Sequence, residues 1–372
     1  MPVQPLPSNP NLDRFKSTAE DLRNFVRAGV GGAVETVREH HPRLGSLTPG
    51  SPEAMSFKLA DARLTLARHH GFASWPELAR CVEEMGPLSR SPRERLADEK
   101  AQDGDELIRL ACLNFGDDSP SRRTAAFELW RTNPSLVGSS IFVAAAVGDH
   151  MAVTSFVGAD PDVATQSGGP FDWPPLLYAT YSRLVTGDPA HDFVETVRVL
   201  LQRLGADPNS GFLWDGLLPP FTAITGVIGR GEQGSPPHVD QHALLRLLLE
   251  AGADPNDGQA VYNAGIGNAR PDDDTGWLGL LYAHGFGTRT DGPWYRRFGD
   301  RLADPAVLVA ELLHDAARRG FVNRARLLLD HDADPNRPGD HRVFGGRVPY
   351  RDAAQRGYLE VAAMLSAAGA RP

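Results

Sequence analysis

The chain has 372 residues, 41% of them hydrophobic and 23% charged, which is enough apolar content to bury a sizeable core. Its formal net charge of −9 disfavours nucleic acid or an anionic membrane as the main partner, because both require a basic surface. The N-terminus lacks the features of a signal peptide, and no apolar run reaches the roughly 20 residues that span a bilayer. We therefore expect a cytoplasmic protein.

The first ninety residues predict a series of short helices. Residues 17–44 form two of them, and a capping box of Ser17 and Glu20 is expected to open the first. Residues 57–84 predict a further pair, whose second helix follows another capping box that begins at Ser74. All of these helices precede the part of the chain in which a motif recurs.

The sequence GADPD, GADPN or DADPN recurs from the middle of the chain onwards. It places Asp160, Asp207, Asp254 and Asp334 at separations of 47, 47 and 80 residues. The last separation is about two units of 40, which indicates a hidden copy between residues 254 and 334. A recurrent period of this size is typical of a solenoid, in which each unit packs on the next.

Each unit has the same predicted anatomy. A short helix rich in small residues is followed by a tight turn, as at Gly320, then by an amphipathic helix and the Asp-Pro-Asn motif. The glycine that precedes the alanine in AGADPN is expected to take a left-handed conformation and end the helix, and the proline prevents the helix from resuming. Asn209, Asn256 and Asn336 are expected to tolerate left-handed geometry and start the next turn.

This pattern resembles the ankyrin repeat. The match is clearest in ELLHDAARRGFVNRARLLLDHDADPNR, residues 311–337, where His314 occupies the histidine position of the family's T-P-L-H-x-A signature. Elsewhere the signature is degraded, as in PPLLYA at residues 174–179. The resemblance covers roughly residues 105–372 and implies an all-α, ankyrin-type helical solenoid of about seven units, several of them degenerate. It names no partner, because ankyrin arrays bind many unrelated molecules.

Two features depart from the family pattern. A repeat of about 33 residues leaves about 14 extra in a 47-residue unit, and the longest insertion lies at residues 287–305. The helices of residues 1–90 are outside the array, and their LARHHGFASWPELA segment resembles the region that precedes ankyrin repeats in many bacterial proteins. We predict that residues 1–90 form a helical N-terminal cap, with residues 91–104 as the connection to an array at 105–372.

The sequence contains little that points to catalysis. No HExxH, zinc-ligand spacing or GxSxG elbow is present, so we expect neither a metal, a cofactor nor a catalytic centre. GRGEQG at residues 229–234 matches the dinucleotide fingerprint, but it follows a predicted helix instead of a strand, which favours a flexible loop. His314 is interpreted as a structural residue that orients the backbone of its repeat.

Aromatic side chains occur in the predicted turns between units, where small polar residues are more usual. Aromatic residues and arginine are enriched in the energetic centres of protein interfaces. We predict that they form a ridge beside the concave groove and bind a protein or peptide partner, with the arginines favouring an acidic one. The candidate binding residues are Trp173, Trp214, Trp294, Tyr295, Arg296, Arg297, Phe344, Tyr350 and Arg351.

Two alternatives remain open at this level. The aromatic rings either stand exposed or fold back and cover the core beneath the long loops. The chain is accordingly either a non-catalytic scaffold for a protein or peptide, or a protein with a small-molecule site, possibly enzymatic, where the loops close over the groove. An open aromatic ridge favours the first function, and a deep pocket with converging titratable groups favours the second.

Overall fold

The structure is a computed structural model that describes residues 4, 6–7, 9–92, 103–288 and 291–371. It is mostly helical, with 58% helix and 5% strand. The chain divides into two units, of which the first comprises Met1–Arg90 with Leu213–Leu217 and the second comprises Ser91–Phe212 with Leu218–Pro372. Most of the connection predicted at residues 91–104 lies outside the described residues.

The first unit is built from five helices in its described part, followed by a short strand. The helices are α1 (Leu12–Arg27), α2 (Gly31–His40), α3 (Pro52–Met55), α4 (Leu59–His69) and α5 (Trp75–Met85), and the strand is β1 (Ser89–Arg90). Helix α1 contacts all four other helices, and α4 also packs on α2 and α5. Strand β1 pairs in parallel with Leu213 and Trp214, which explains why residues 213–217 group with this unit.

Helix α1 begins earlier than the sequence predicts. Asn11 is its N-cap, and the Asn11 side chain accepts hydrogen bonds from the backbone N–H groups of Asp13 (2.8 Å) and Arg14 (3.1 Å). The predicted capping box of Ser17 and Glu20 is therefore wrong, because both residues lie inside the helix. Asparagine is among the strongest N-caps, and no proline or glycine interrupts the helix after it.

The predicted cap at the start of helix α5 is confirmed. The Ser74 hydroxyl accepts a hydrogen bond from the backbone N–H of Glu77 at 3.4 Å. The Glu77 carboxylate reaches one residue beyond the cap and accepts from the backbone N–H of Ala73 at 2.9 Å. The Ser74 bond satisfies a backbone donor of the first turn, and the Glu77 bond holds the residue that precedes the cap.

The second unit contains paired helices and two strands. The helices are α6 (Asp103–Ala111), α7 (Pro120–Thr132), α8 (Ile141–Val147), α9 (His150–Ala159), α10 (Pro175–Tyr181), α11 (Phe193–Arg198), α12 (Ala223–Ile228), α13 (Gln241–Glu250), α14 (Gly258–Ala264), α15 (Gly276–Ala283), α16 (Pro293–Phe298), α17 (Pro305–Arg319), α18 (Val322–Asp330), α19 (Pro349–Gln355) and α20 (Leu359–Ala367). The strands are β2 (Gly211–Trp214) and β3 (Leu217–Thr222). Helices α14 and α15 occupy the interval in which the sequence predicts a hidden copy.

The first helices of successive pairs contact one another in chain order, from α6 through α8, α10, α12, α14 and α17 to α19. The second helices α9, α11, α13 and α15 make a similar series, and α18 packs on α20. Small side chains allow the close approach within the first series, since Ala144, Ala145 and Ala146 of α8 are all fully buried. Leucines fill the second series, as Leu244 and Leu248 of α13 do.

A β-hairpin formed by β2 and β3 corrects the prediction of an all-helical chain. Its aromatic side chains explain the strand conformation, since such residues favour an extended, half-buried backbone. Phe212 stacks on Trp173, with ring centroids 4.9 Å apart, and on Phe221 at 5.6 Å. The base of the hairpin, at Phe212 and Phe221, is therefore held by aromatic packing within the second unit.

The Asp-Pro-Asn turns at residues 207–209, 254–256 and 334–336 share one hydrogen-bond pattern. The aspartate Oδ1 accepts from the backbone N–H of the asparagine two residues later, at 2.8, 3.0 and 2.8 Å. The left-handed residues that precede each turn are Gly205, Gly252 and Asp332, as the sequence predicts for the glycines. The same aspartate geometry in three places gives each turn the same exit direction.

The asparagine side chains of these turns join one turn to the next. Asn209 Nδ2 donates to the Gly252 carbonyl at 3.1 Å, and Asn209 Oδ1 accepts from the Asp254 N–H at 2.9 Å. Asn336 makes an equivalent bond to the Gly369 carbonyl at 3.1 Å. None of the three asparagines has a positive φ, although the sequence led us to expect that they would tolerate one. Their amides instead satisfy a backbone donor and acceptor in a neighbouring turn.

The packing of the second helices yields a stability prediction. Leu248 lies on α13 and is fully buried, so Leu248→Ala leaves a cavity and should lower the free energy of unfolding by about 2–5 kcal/mol. The measurement is urea denaturation followed by circular dichroism. Leu359→Ala is the matched control, because Leu359 is also helical but 76% exposed. A loss below about 0.5 kcal/mol at Leu248, within the range of surface substitutions, would show that α13 does not pack as described.

Candidate functional site

A cavity of about 450 Å³ lies within the second unit. It is lined by strand β3, the turn that follows α13, helix α14, helix α16 and the first half of α17. Its walls combine apolar and titratable side chains. Three carboxylates and three aromatic rings face it, namely Asp254, Asp257, Glu311, Tyr262, Trp294 and Tyr295. Trp294, Tyr295, Arg301, Leu302 and Ala303 of the insertion at residues 287–305 line this cavity, so this part of the insertion packs against the rest of the second unit.

Trp294 is half-buried in the cavity wall and is not the exposed tip that the sequence predicts. Its indole Nε1 donates a hydrogen bond to the Asn209 carbonyl at 3.0 Å, and its ring stacks on Phe298. A glycine makes the close fit possible, because a Cβ at Gly211 would lie 3.0 Å from the indole. Trp294 thus ties the insertion to the hairpin and to an Asp-Pro-Asn turn.

A second close approach occurs where the insertion passes the next turn. A Cβ at Gly292 would fall 1.6 Å from Asp254 Oδ2, so no larger residue fits at this position with the present backbone. Asp254 is half-buried, and its Oδ1 accepts hydrogen bonds from the backbone and side chain of Asn256. Asn256 Oδ1 in turn accepts from the Gly287 N–H at 2.8 Å, at the start of the insertion.

Tyr295 follows Trp294 and faces the cavity, while the next two residues do not line it. The Tyr295 hydroxyl donates to the Ala303 carbonyl at 2.7 Å. Burial, together with the nearby carboxylates of Asp254 and Asp257, raises the pKa of this phenol. Arg296 and Arg297 are exposed on the outer side of α16. The predicted Trp-Tyr-Arg-Arg run is therefore divided between the cavity and the surface.

Asp257 is the most buried of the three carboxylates, with 6% of its surface exposed. Its oxygens accept hydrogen bonds from Thr222 Oγ1 (2.5 Å), Thr225 Oγ1 (2.9 Å) and the Ala260 N–H (2.9 Å). Burial raises the pKa of Asp257, and these three bonds oppose the shift. The carboxylate caps helix α14 and ties it to α12, so its oxygens already serve the fold.

Glu311 lies at the cavity wall on helix α17. Its Oε1 accepts from the backbone N–H of His341 at 3.1 Å. Burial raises the pKa of Glu311, against the effect of the His341 bond, and the nearby Asp340 raises it further. Among the described residues, no second donor contacts this carboxylate. Its other oxygen is therefore available to a group inside the cavity.

Tyr262 of α14 completes the aromatic wall. Its hydroxyl donates to Glu232 Oε1 at 2.6 Å, in the loop of the GRGEQG sequence. Burial and the Glu232 carboxylate raise the pKa of Tyr262 to about 12. Both tyrosines of the cavity thus stay protonated at neutral pH, and their hydroxyls donate hydrogen bonds to other protein atoms. Tyr262, Asp254, Asp257 and Glu311 were not predicted as cavity residues, because all four lie on helices or turns with ordinary structural explanations.

Two predicted binding residues are buried, which corrects their assignment to an exposed ridge. Trp173 is fully buried and packs against Phe171, Phe212 and Tyr178. Phe344 is also fully buried and stacks on the imidazole of His314, with ring centroids 4.1 Å apart. Both rings fold back over helices and exclude water from the core, which is the alternative that the sequence analysis left open.

The other predicted residues do not line the cavity. Trp214 is half-buried and belongs to the segment that groups with the first unit. On α19, Tyr350 is half-buried and Arg351 is exposed. Of the nine predicted binding residues, the cavity therefore brings together Trp294 and Tyr295.

His314 has the structural role that the sequence analysis assigned to it. Its Nδ1 accepts from the backbone N–H of Gly339 at 3.3 Å, and its Nε2 lies 2.8 Å from Asp352 Oδ2. The Asp352 carboxylate also accepts from Arg347 Nε at 2.9 Å. Both ring nitrogens are engaged, so this buried histidine connects α17, α19 and the turn between them.

Comparison with known proteins identifies the family. The sequence model for the ankyrin repeat matches residues 312–340, which span the end of α17, helix α18 and the Asp-Pro-Asn turn that follows it. Cyclin-dependent kinase 4 inhibitor B of Homo sapiens is 35% identical over 129 residues, an alignment that covers 33% of this chain and 77% of that protein. The chain belongs to the ankyrin repeat family.

Ankyrin repeats generally mediate interactions between proteins. None of the helices in the described parts of the chain is both long and apolar enough to cross a membrane. The residues that line the cavity lie outside the residues matched by the family model, and Glu311 immediately precedes the start of that match. The insertion and the cavity that it lines are therefore not part of the matched repeat.

The Trp294 hydrogen bond can be tested separately from the packing of its ring. Trp294→Phe retains an aromatic ring but leaves the Asn209 carbonyl without its indole donor, so we expect a loss of stability of about 0.5–1.5 kcal/mol beyond the packing change. Trp130→Phe is the matched control, because the Trp130 indole nitrogen is buried with no hydrogen-bond partner among the described residues. Thermal denaturation of both variants measures the difference. Equal losses would mean that the Trp294 bond contributes nothing to stability.

Proposed function

We propose that this protein is a non-catalytic binding module, an ankyrin-type helical solenoid that recognises a protein or peptide partner. One observation carries the proposal. The insertion that distinguishes the chain from a regular array is held against successive Asp-Pro-Asn turns and encloses a cavity beside them. A partner docked on this face meets the recess and, beside it, the exposed guanidinium groups of Arg296 and Arg297. These arginines are where acidic groups of a partner would bind.

The hydrogen bonds of Asp257, Tyr262 and Tyr295 favour a binding role over a catalytic one. Asp257 is committed to Thr222, Thr225 and the start of α14. The hydroxyls of Tyr262 and Tyr295 are donated to other protein atoms. A general acid or base must be free to reach a substrate proton, and these groups already hold protein partners.

A small-molecule ligand is the second candidate. The volume of about 450 Å³ falls within the range of roughly 300–1,000 Å³ for small-molecule sites, and titratable groups converge on it. Native mass spectrometry of the purified protein tests this candidate directly. A bound mass that is released on unfolding and absent from a variant with a filled cavity would favour the small molecule over a protein partner.

We also propose that residues 1–90 serve as an end cap of the repeat array. A terminal repeat must cover one apolar face, and Leu213 pairs with Ser89 of this region. Deleting residues 1–90 should cause self-association at micromolar concentration, measured by light scattering. If the variant that lacks residues 1–90 stays monomeric and its unfolding midpoint is unchanged, the region has another role.

The binding proposal is tested by site-specific photo-crosslinking in the cells that express the protein. A photoreactive phenylalanine replaces Ala303, which is exposed at the cavity rim, or Ala125, an exposed alanine of α7, as the matched control. We expect a discrete protein adduct from position 303 and none of that mass from position 125. The proposal fails if the two positions give the same adducts or if position 303 gives none.

A further inference from the structure

The charged groups that line the cavity are mainly acidic. Asp254, Asp257 and Glu311 line it, and among its described lining residues Arg301 supplies the only guanidinium. Three carboxylates against one cation leave the interior negative. Charges that are partly removed from water interact more strongly than charges on an open surface. The interior therefore selects for positive charge, although Arg296 and Arg297 lie just outside it.

Two of the carboxylates each use only one oxygen atom in hydrogen bonds that support the fold. Glu311 engages one oxygen with the His341 N–H, and Asp254 engages its Oδ1 within its own turn. Within the described residues, no hydrogen-bond donor contacts Glu311 Oε2 or Asp254 Oδ2, although Asp254 Oδ2 also packs against Gly292. A half-buried carboxylate oxygen that faces a cavity is an acceptor for a charged donor, which forms stronger bonds than a neutral one.

The rest of the wall suits a flat or elongated cation. Trp294 and Tyr295 present aromatic surface to the cavity, and Pro219 and Leu308 add apolar contact. A cation over an aromatic face is stabilised by the quadrupole of the ring, and a guanidinium also stacks on such faces while it binds carboxylates. The volume accommodates one long side chain or a small amine, but no folded segment.

From this combination we propose that the cavity recognises an organic cation, in the form of an arginine side chain that a partner protein inserts between the aromatic wall and the carboxylates of Asp254 and Glu311. The proposal rests on the binding function proposed above and specifies its chemistry. The sequence predicted an acidic partner, whereas the interior of the cavity is proposed to bind a basic side chain. Arg296 and Arg297 form a separate, outer contact.

The test uses two blocked peptides that differ in charge alone. Acetyl-Gly-Arg-Gly-amide should bind the full chain in isothermal titration calorimetry, and acetyl-Gly-citrulline-Gly-amide, its neutral counterpart, should bind at least tenfold more weakly. Glu311→Gln and Asp254→Asn should each weaken binding of the arginine peptide at least fivefold, because each removes a negative charge from the cavity. Both variants keep the oxygen that accepts the internal hydrogen bond, so the fold is retained. Glu250→Gln, an exposed carboxylate on α13, is the matched control and should leave affinity unchanged.

The outcomes separate the sources of the cation and the two proposals. Tight binding of free agmatine, equal to that of the peptide, would assign the site to a small amine and overturn the insertion of a protein side chain. Equal binding of the arginine and citrulline peptides, or an equal effect of Glu250→Gln and Glu311→Gln, would overturn recognition of charge. If neither peptide binds while the Ala303 crosslink still captures a protein, the cation proposal fails and the binding function stands.

Discussion

The side-chain amide of the asparagine in each Asp-Pro-Asn turn is the constraint on which the second unit depends. Asn209 fixes the spacing to the Gly252–Asp254 turn, and Asn256 fixes the position of Gly287 at the start of the insertion. Each amide provides a hydrogen-bond partner for backbone groups that would otherwise lack one within the protein, and it does so at the same place in successive units. The insertion can enclose a cavity of defined size only because its two supports are held at a fixed separation.

Close backbone approach is the second requirement, and glycine provides it in two places. Gly211 lies against the Trp294 indole, and Gly292 lies against the Asp254 carboxylate. An added methyl group at either position would meet atoms of the opposite wall. The cavity thus depends on small residues in segments where the sequence offers no periodic pattern to read. Its carboxylates face inwards because the turns and helices that carry them are positioned by other contacts.

The repeat anatomy could be predicted from the sequence because it is local. Helix pairs follow from the spacing of leucines and alanines, and the left-handed glycines at Gly205 and Gly252 follow from their place before the alanine. The site could not be predicted in the same way. Whether an aromatic in a turn is exposed depends on which distant residue faces it, as Phe212 faces Trp173. Residue type alone indicates a binding surface equally well for Trp173, which is buried, and Trp294, which lines the cavity.

The hairpin of β2 and β3 has a consequence for how this protein can evolve. Its tip, Leu213–Leu217, groups with the N-terminal helices, whereas the residues on either side group with the repeats. The boundary between the two units is therefore not a single point in the chain. Genetic recombination that exchanged the N-terminal region at residue 90 would leave behind the short segment that pairs with β1. An exchange of the N-terminal region that keeps this pairing must therefore also include Leu213–Leu217.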